Sequence, residues 1–407
     1  MPVSYVAVMN SSGATVTNSY MATTMPWIAN QTTLMDTSQS NLTYLTLQDI
    51  YSEHTPIVPI VTKYIPPLWY LIGIPGNIVA TFVWLRPKMR PSSGCYLAAL
   101  AMGDTLFLLL HVIFWLQTAW ELNLLFFPVI CELFPVLYYP SQYINPLLVF
   151  GFTLERYIAI CHPFRREQWC STRRAVLVIC SLVAISLLLS VIQGYFWQYT
   201  NGACDVRQSV TAGGSRSLWA IYSWITDLLI FGVVPIIILV LNLRVIVETN
   251  KIKRSEKKML CLTKGQKIQR KSGASATTFM LLAVSFYLIF TTLPVTILYV
   301  LNIVFPTGEP TLSHDDIRSD AVWQRHLAFN TIRTIVERLC ISHYACNFYI
   351  YLLTGRVFRR ELTRICVQVF CKKMSGRIRN TELDDLLATY KRADTNGNKN
   401  GVIVAHL

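Results

Sequence analysis

Charge is scarce in this 407-residue chain: only 14% of its residues are Asp, Glu, Lys or Arg, where a soluble chain usually carries about 25%. With 53% hydrophobic residues and a mean hydropathy of +0.41, that shortage argues against a freely soluble domain. Lys and Arg are missing altogether from positions 1–62, whose only formal charges are Asp36, Asp49 and Glu53. No Gly-x-x-x-x-Gly-Lys-Ser/Thr, His-Glu-x-x-His or Gly-x-Ser-x-Gly pattern occurs, which removes the commonest nucleotide-cradling loop, zinc-protease helix and nucleophile elbow. His111, His162, His326 and His343 are scattered without metal-ligand spacing. No repeat or matched pair of broken apolar segments marks an inverted-repeat transporter. The first residues show no basic stretch running into a short apolar core, so no cleaved leader is expected. Enzymatic chemistry is therefore not expected, and a transporter or channel is the weaker of the membrane readings.

What basic charge there is lies in particular places. The net charge of +14 could serve a nucleic acid, but ten Lys or Arg fall within 244–271, against Glu248 and Glu256. That asymmetry follows the positive-inside rule, with an outside N-terminus and a cytoplasmic 244–271 loop. No nucleic-acid partner is expected. Seven apolar runs are long enough to span a bilayer, about 20 residues each: 64–85, 95–118, 128–161, 174–196, 218–247, 274–304 and 327–353. These runs predict an all-α membrane protein with seven spans at 63–354. An extracellular, disordered tail precedes them at 1–62, rich in Ser, Thr and Asn, with Asn-x-Ser/Thr acceptors at Asn10, Asn30 and Asn41. After Gly355, Phe358, Leu362, Ile365 and Val369 recur at helical spacing opposite Arg356, Arg359, Arg360 and Arg364. This pattern predicts an amphipathic surface helix over 355–370, with Cys366 and Cys371 as lipidation candidates and a cytoplasmic tail at 371–407. Most of the 11 cysteines sit in apolar runs; Cys131 and Cys204 flank outer loops and are the candidate disulfide.

The motifs cluster around 153–164, Thr-Leu-Glu-Arg-Tyr-Ile-Ala-Ile-Cys-His-Pro-Phe, where Glu155 and Arg156 end a long apolar run. A charge deep in a bilayer costs about 2.5–3.5 kcal/mol on insertion scales, so such a pair marks function or a membrane boundary. Gly76-Asn77 with Val79, Leu97-Ala98-Ala99 with Asp104, Cys131 25 residues before Arg156, Pro235, Pro294, and Asn347 with Tyr351 stand in a fixed order. Together they resemble the rhodopsin-like (class A) G-protein-coupled receptors over roughly residues 64–370. The phrases Arg-Tyr-Ile-Ala-Ile-Cys-His-Pro-Phe and Cys-Asn-Phe-Tyr-Ile-Tyr look like those of invertebrate FMRFamide-like neuropeptide receptors. Several positions depart from the family: Phe348 replaces a proline, Thr291-Thr292 replaces Cys-Trp before Pro294, Leu243 stands for a tyrosine, and the fourth span lacks its tryptophan.

The resemblance implies a plasma-membrane receptor with an outside N-terminus, an extracellular peptide ligand, a heterotrimeric G protein and arrestin as partners, and contact with membrane lipids. It implies a switch built from Glu155, Arg156, Tyr157, Pro294, Asn347 and Tyr351, with Arg156 paired to Glu155 at rest. It also implies a polar cluster of Asn77, Asp104, Asn145 and Asn347 holding either a sodium ion as allosteric ligand or only a structural knot. No other metal or cofactor is expected. By register, the ligand-lining candidates are Trp115, Tyr138, Tyr139, Gln142, Trp224, Asp227, Tyr299, Asn302, Arg333 and Glu337. Tyr138, standing where aminergic receptors carry an Asp, argues against a monoamine. Arg333 and Glu337, spaced i, i+4, form either an intrahelical ion pair or a ligand clamp, with Arg338 on another face. A receptor-like scaffold that does not signal is the remaining alternative.

Overall fold

The computed structural model describes residues 47–89, 92–200, 202–262, 272–309 and 313–375. The expected glycosylation sites Asn10, Asn30 and Asn41 lie outside these residues. Six described helices are long and apolar enough to cross a membrane: Ile57–Trp84, Ser92–Ala119, Pro128–Cys161, Thr172–Phe196, Leu218–Ser255 and Thr278–Val304. A seventh runs as Ala321–Cys340 and then Ser342–Thr354. It is less apolar because it carries Arg325, Arg333, Glu337 and Arg338.

An apolar run becomes a helix here because lipid offers no hydrogen bonds, so the backbone must satisfy itself. Polar side chains obey the same constraint. The hydroxyls of Thr81, Thr105, Thr118, Ser186 and Ser190 each donate to the carbonyl four residues earlier. The second span packs on the first and third, the third also meets the fourth and fifth, and the seventh returns to the first. That last contact is close: a Cβ on Gly73 would stand 2.8 Å from the Ala345 Cα.

Proline gives the fifth span its shape. Pro235 has no N–H for the Phe231 carbonyl and its ring crowds that turn. The chain answers with a π turn over Leu228–Val233, in which the Val234 N–H donates to the Leu229 carbonyl. The freed Phe231 carbonyl accepts from Thr296 Oγ1 of the sixth span at 2.7 Å, so the defect in one helix is repaired by its neighbour. The irregularity that Pro235 implies for the span expected at 218–247 thus takes the form of a π turn.

Three expectations need correction, and one element was not foreseen. The segment 47–54, assigned to the disordered tail, is a helix, Leu47–His54, because Ile50 is fully buried against Ile317, Trp323 and Leu327. The first span begins at Ile57, before the basic residue Lys63. The seventh span is broken at Ile341, where the Cys340 carbonyl meets His343 Nδ1 at 2.6 Å. Between the fourth and fifth spans stands an antiparallel hairpin, β1 (Trp197–Thr200) and β2 (Ala203–Val206), which the apolar pattern did not reveal.

The chain divides into two compact units at Gly355. The second holds a helix Arg356–Ser375, which ends five residues beyond the 355–370 expected. Within it Arg364 Nη1 donates to Glu361 Oε2 at 3.1 Å. Cys366 is exposed; the side chain of Cys371 lies outside the described residues.

Glycine at position 73 is a condition of the closed ring. Gly73→Val is expected to cost about 1–3 kcal/mol by overpacking against backbone and to lower the thermal midpoint and surface yield of the detergent-solubilised protein. Gly103→Ala meets only the Ile144 Cγ2 at 3.2 Å and should be the milder change; equal effects would refute the close-approach argument.

Candidate functional site

Beside the Cys131–Cys204 disulfide the helices part around a cavity of about 210 Å³. Its wall on the second and third spans is aromatic. Tyr138 stacks with Phe134 at 5.3 Å and Phe114 at 5.2 Å between ring centres, and Phe107 stacks on Tyr344 at 3.8 Å. His111 also lines it, with its Nδ1 in a 2.6 Å hydrogen bond to the Tyr70 hydroxyl. The hairpin covers one side through Trp197 and Cys204. The disulfide, Phe196, Trp197, Val206, Val210 and Trp219 form the apolar cluster that anchors it.

Seven of the ten ligand-lining candidates face this space: Tyr138, Tyr139, Gln142, Asp227, Tyr299, Arg333 and Glu337. The other three support it. Trp115 spends its indole N–H on the Thr62 carbonyl at 3.1 Å. Trp224 packs on the Tyr299 ring at 4.3 Å, and Asn302 Oδ1 accepts from Arg333 Nη1 at 3.0 Å. Arg333 and Glu337 form the intrahelical pair, Nε to Oε1 at 3.3 Å. Arg338, expected on another face, also lines the cavity. The opening wraps past the 100° that separates neighbouring helix positions. His111, Arg338 and Thr292 were missed as lining residues. Thr292 takes the place of the family's bulky tryptophan, and that substitution was the available signal.

A second contribution comes from the N-terminal helix. Tyr51 lines the cavity and its hydroxyl meets His326 Nε2 at 2.8 Å. Beside it His54 Nε2 faces His314 Nδ1 at 3.2 Å, and Glu53 receives His314 at 3.4 Å and Arg318 at 3.3 Å. The short helix is thus strapped to His314–Ser319 at the cavity's mouth.

Deeper in the bundle, both oxygens of Asp104 are taken by amides. Asn145 Nδ2 donates to one, and Asn347 Nδ2 to the other at 2.7 Å. Asn77 stands apart from this carboxylate and donates to the Tyr344 carbonyl at 2.7 Å. Three of the four expected cluster members therefore meet directly. The buried Oδ1 of Asn145 has no hydrogen-bond partner, and beside the Asp104 oxygens it is an acceptor of the type that suits a hard cation; the buried Asn77 Oδ1, also without a partner, belongs to the separate Tyr344 contact.

At the opposite end Glu155 accepts from Ser92 Oγ at 2.6 Å. The adjacent Arg156 lies within electrostatic reach of the same carboxylate, and Ser92, at the start of the second span, adds a contact from a neighbouring helix. Arg156 borders a cleft of only about 10 Å³ with Asn242, Thr278 and Leu281. Leu243 is 51% exposed and faces away. Its neighbour Asn242 faces inward and donates to Ser285 Oγ of the sixth span at 2.8 Å. Tyr157 packs edge-on to His162 at 5.5 Å, and the fully buried Tyr351 packs edge-on to Trp84 at 5.5 Å.

The family description "7 transmembrane receptor (rhodopsin family)" matches residues 76–351, most of the chain. The chain belongs to this family. It is a family of receptors rather than enzymes, and the protein is a multi-pass membrane receptor. Human neuromedin-U receptor 2 is 29% identical over 180 residues, covering 43% of this chain and 43% of the relative. The thyrotropin-releasing hormone receptor of Gallus gallus is 30% identical over 174 residues, 41% and 43% of the two chains. Human C-C chemokine receptor type 1 is 24% identical over 312 residues, 74% and 79%. The match spans about two fifths of the neuromedin-U receptors' length.

The receptor's N-terminal strap should respond to pH. Burial, then the adjacent His314, hold the His54 imidazole below its ordinary value, with Arg318 adding to this and Glu53 opposing it. A base whose pKa falls on docking is favoured neutral, so the strap is fully held above the ordinary histidine value of about 6.5 and loosens as pH drops below it. Hydrogen exchange in 47–54 should therefore quicken on going from pH 7.5 to 5.5. His54→Asn should flatten that dependence; unchanged exchange in the parent would sink the argument.

Proposed function

We propose that the receptor responds to an extracellular neuropeptide, with amidated FMRFamide-like peptides as the ligand class, and activates a heterotrimeric G protein. The observation that carries this reading is the cavity beside the disulfide, lined by Tyr138, Tyr139 and Tyr299 together with Asp227, Arg333, Glu337 and Arg338. Aromatic walls with charges of both signs suit a peptide better than a lipid. Relatives named as receptors for neuromedin-U and thyrotropin-releasing hormone support the same class. In this reading the strap and hairpin face outward, the N-terminus is extracellular with Asn10, Asn30 and Asn41 as sugar acceptors, and the protein works at the plasma membrane. The helix Arg356–Ser375 lies on the inner membrane surface, anchored to lipid through Cys366 and Cys371, and arrestin shares the inner face with the G protein.

Ligand binding shifts the receptor only by its differential affinity for two states. Pro294 leaves the sixth span without one backbone bond and serves as its pivot. The signal route runs from the cavity through Thr292, which lines it, and Thr296, which bonds the sixth span to the fifth, to the Asn242–Ser285 contact. Outward movement of the sixth span then widens the cleft at Arg156 for the G protein, while Asn347 and Tyr351 hold the seventh span's end. When bound, a sodium ion would be held by charge attraction to Asp104 and would favour the state that holds it more tightly. Asn145 and Asn347 orient that carboxylate.

Nucleotide exchange on G proteins in cells expressing the chain, against amidated and free-acid peptides, tests the reading. A response to one peptide series is expected. Arg156→Ala should abolish exchange while peptide affinity stays within about threefold, because Arg156 lies far from the cavity; preserved signalling would remove it from the switch. Silence to every peptide from verified surface receptor would favour a scaffold without signalling.

A further inference from the structure

The cavity contains two charges that the protein does not itself neutralise. Asp227 of the fifth span is buried, 6% exposed, and lines the cavity; among the described residues its carboxylate makes no ion pair or hydrogen bond. It stands within electrostatic reach of Tyr139 and Tyr299, and the Tyr299 hydroxyl is buried without a partner. Arg338 of the seventh span lines the same cavity, and its Nε is sealed from solvent without an acceptor. Its electrostatic neighbours are Tyr70, His111 and Tyr138, a separate set. Arg333 and Glu337 contrast with both, being paired with each other at 3.3 Å.

A buried charge is costly unless it is paired and hydrogen-bonded. Arg333 is ion-paired with Glu337 and donates to Asn302, and recruiting either residue of the pair would first break that ion pair. Asp227 and Arg338 gain partners only from something that enters the cavity. They sit on different walls, Asp227 near the third, fifth and sixth spans and Arg338 near the first, second and third. A ligand of one sign would satisfy one and leave the other bare. The geometry points to a dipolar ligand that places a basic group, guanidinium or ammonium, on Asp227 and an acidic group on Arg338. This rests on the peptide reading above and narrows it. An amidated end is neutral, so the acid then comes from a side chain; a peptide with a free terminus can supply it from the terminal carboxylate instead.

Four N-acetylated fluorescent probes separate these sources: Ac-Asp-Phe-Met-Arg-Phe-amide, its Asn form, its citrulline form, and Ac-Asn-Phe-Met-Arg-Phe with a free carboxylate. Binding is measured on full-length receptor in membranes. The doubly charged amide should bind at least about tenfold tighter than either singly charged amide, the size expected of one charge-assisted hydrogen bond. Asp227→Asn should erase the arginine-over-citrulline preference and keep the Asp-over-Asn preference; Arg338→Gln should do the reverse. Glu337→Gln should change all probes alike. Tight binding by the free-acid probe, lost in Arg338→Gln, would also support the charge axis and assign the anion to the terminus. Absence of these preferences in the parent, or their survival in the variants, overturns the inference while leaving a peptide receptor. If no probe binds or activates receptor verified at the surface, the peptide reading fails with it.

Discussion

The structure depends on one constraint: a charged or polar group inside an apolar bundle must find its partners within the bundle. Asp104 shows the balance. Placing a carboxylate at mid-membrane costs about 2.5–3.5 kcal/mol on insertion scales, and a hydrogen bond to a charged group returns about 1.5–3 kcal/mol. Two amides, from Asn145 and Asn347, return much of that cost. The result is a tie among the second, third and seventh spans that apolar packing alone would not specify. The Phe231 carbonyl and Thr296, and Asn242 with Ser285, repeat the arrangement between the fifth and sixth.

The same constraint explains why the seventh span can carry Arg333, Glu337 and Arg338. None needs to face lipid, because all three line a cavity. Its low hydropathy is thus a consequence of where it stands. The strap Leu47–His54 and the hairpin extend this polar interior beyond the helix ends, one through imidazoles and carboxylates, the other through the disulfide.

Much of this was legible in the sequence. The third span, 128–161, could be read to the residue, because Pro128 suits a helix start and Glu155-Arg156 marks the other end. The meeting of Asp104 with Asn145 and Asn347 was implied by the resemblance, and seven lining residues by register. What sequence could not supply were the breaks in that register. A π turn before Pro235 and the break at Ile341 each shift the register of the residues beyond them; Pro235 marked an irregularity but not its form, and Ile341 has no local signature distinct from an ordinary apolar run. The hairpin's strands are four residues each, too short for an alternation pattern. The strap helix depends on Ile50 reaching Ile317, Trp323 and Leu327, contacts that span most of the chain and that no window around position 50 contains.

Charge on a cavity wall has a different meaning depending on whether the protein has already answered it. Glu337 was the conspicuous acid in the sequence because Arg333 lay one turn away, yet that proximity is what removes it from competition for a ligand. Asp227 lay among apolar residues with no counter-charge within two turns of its own helix, and the fold surrounds it with tyrosines rather than a cation. An acid kept buried without an internal partner is retained against a steady energetic cost. Packing does not call for it, since an asparagine would fill nearly the same volume. The selective value of its charge must come from a cation arriving from outside, and Arg338 across the cavity extends the argument to the opposite sign.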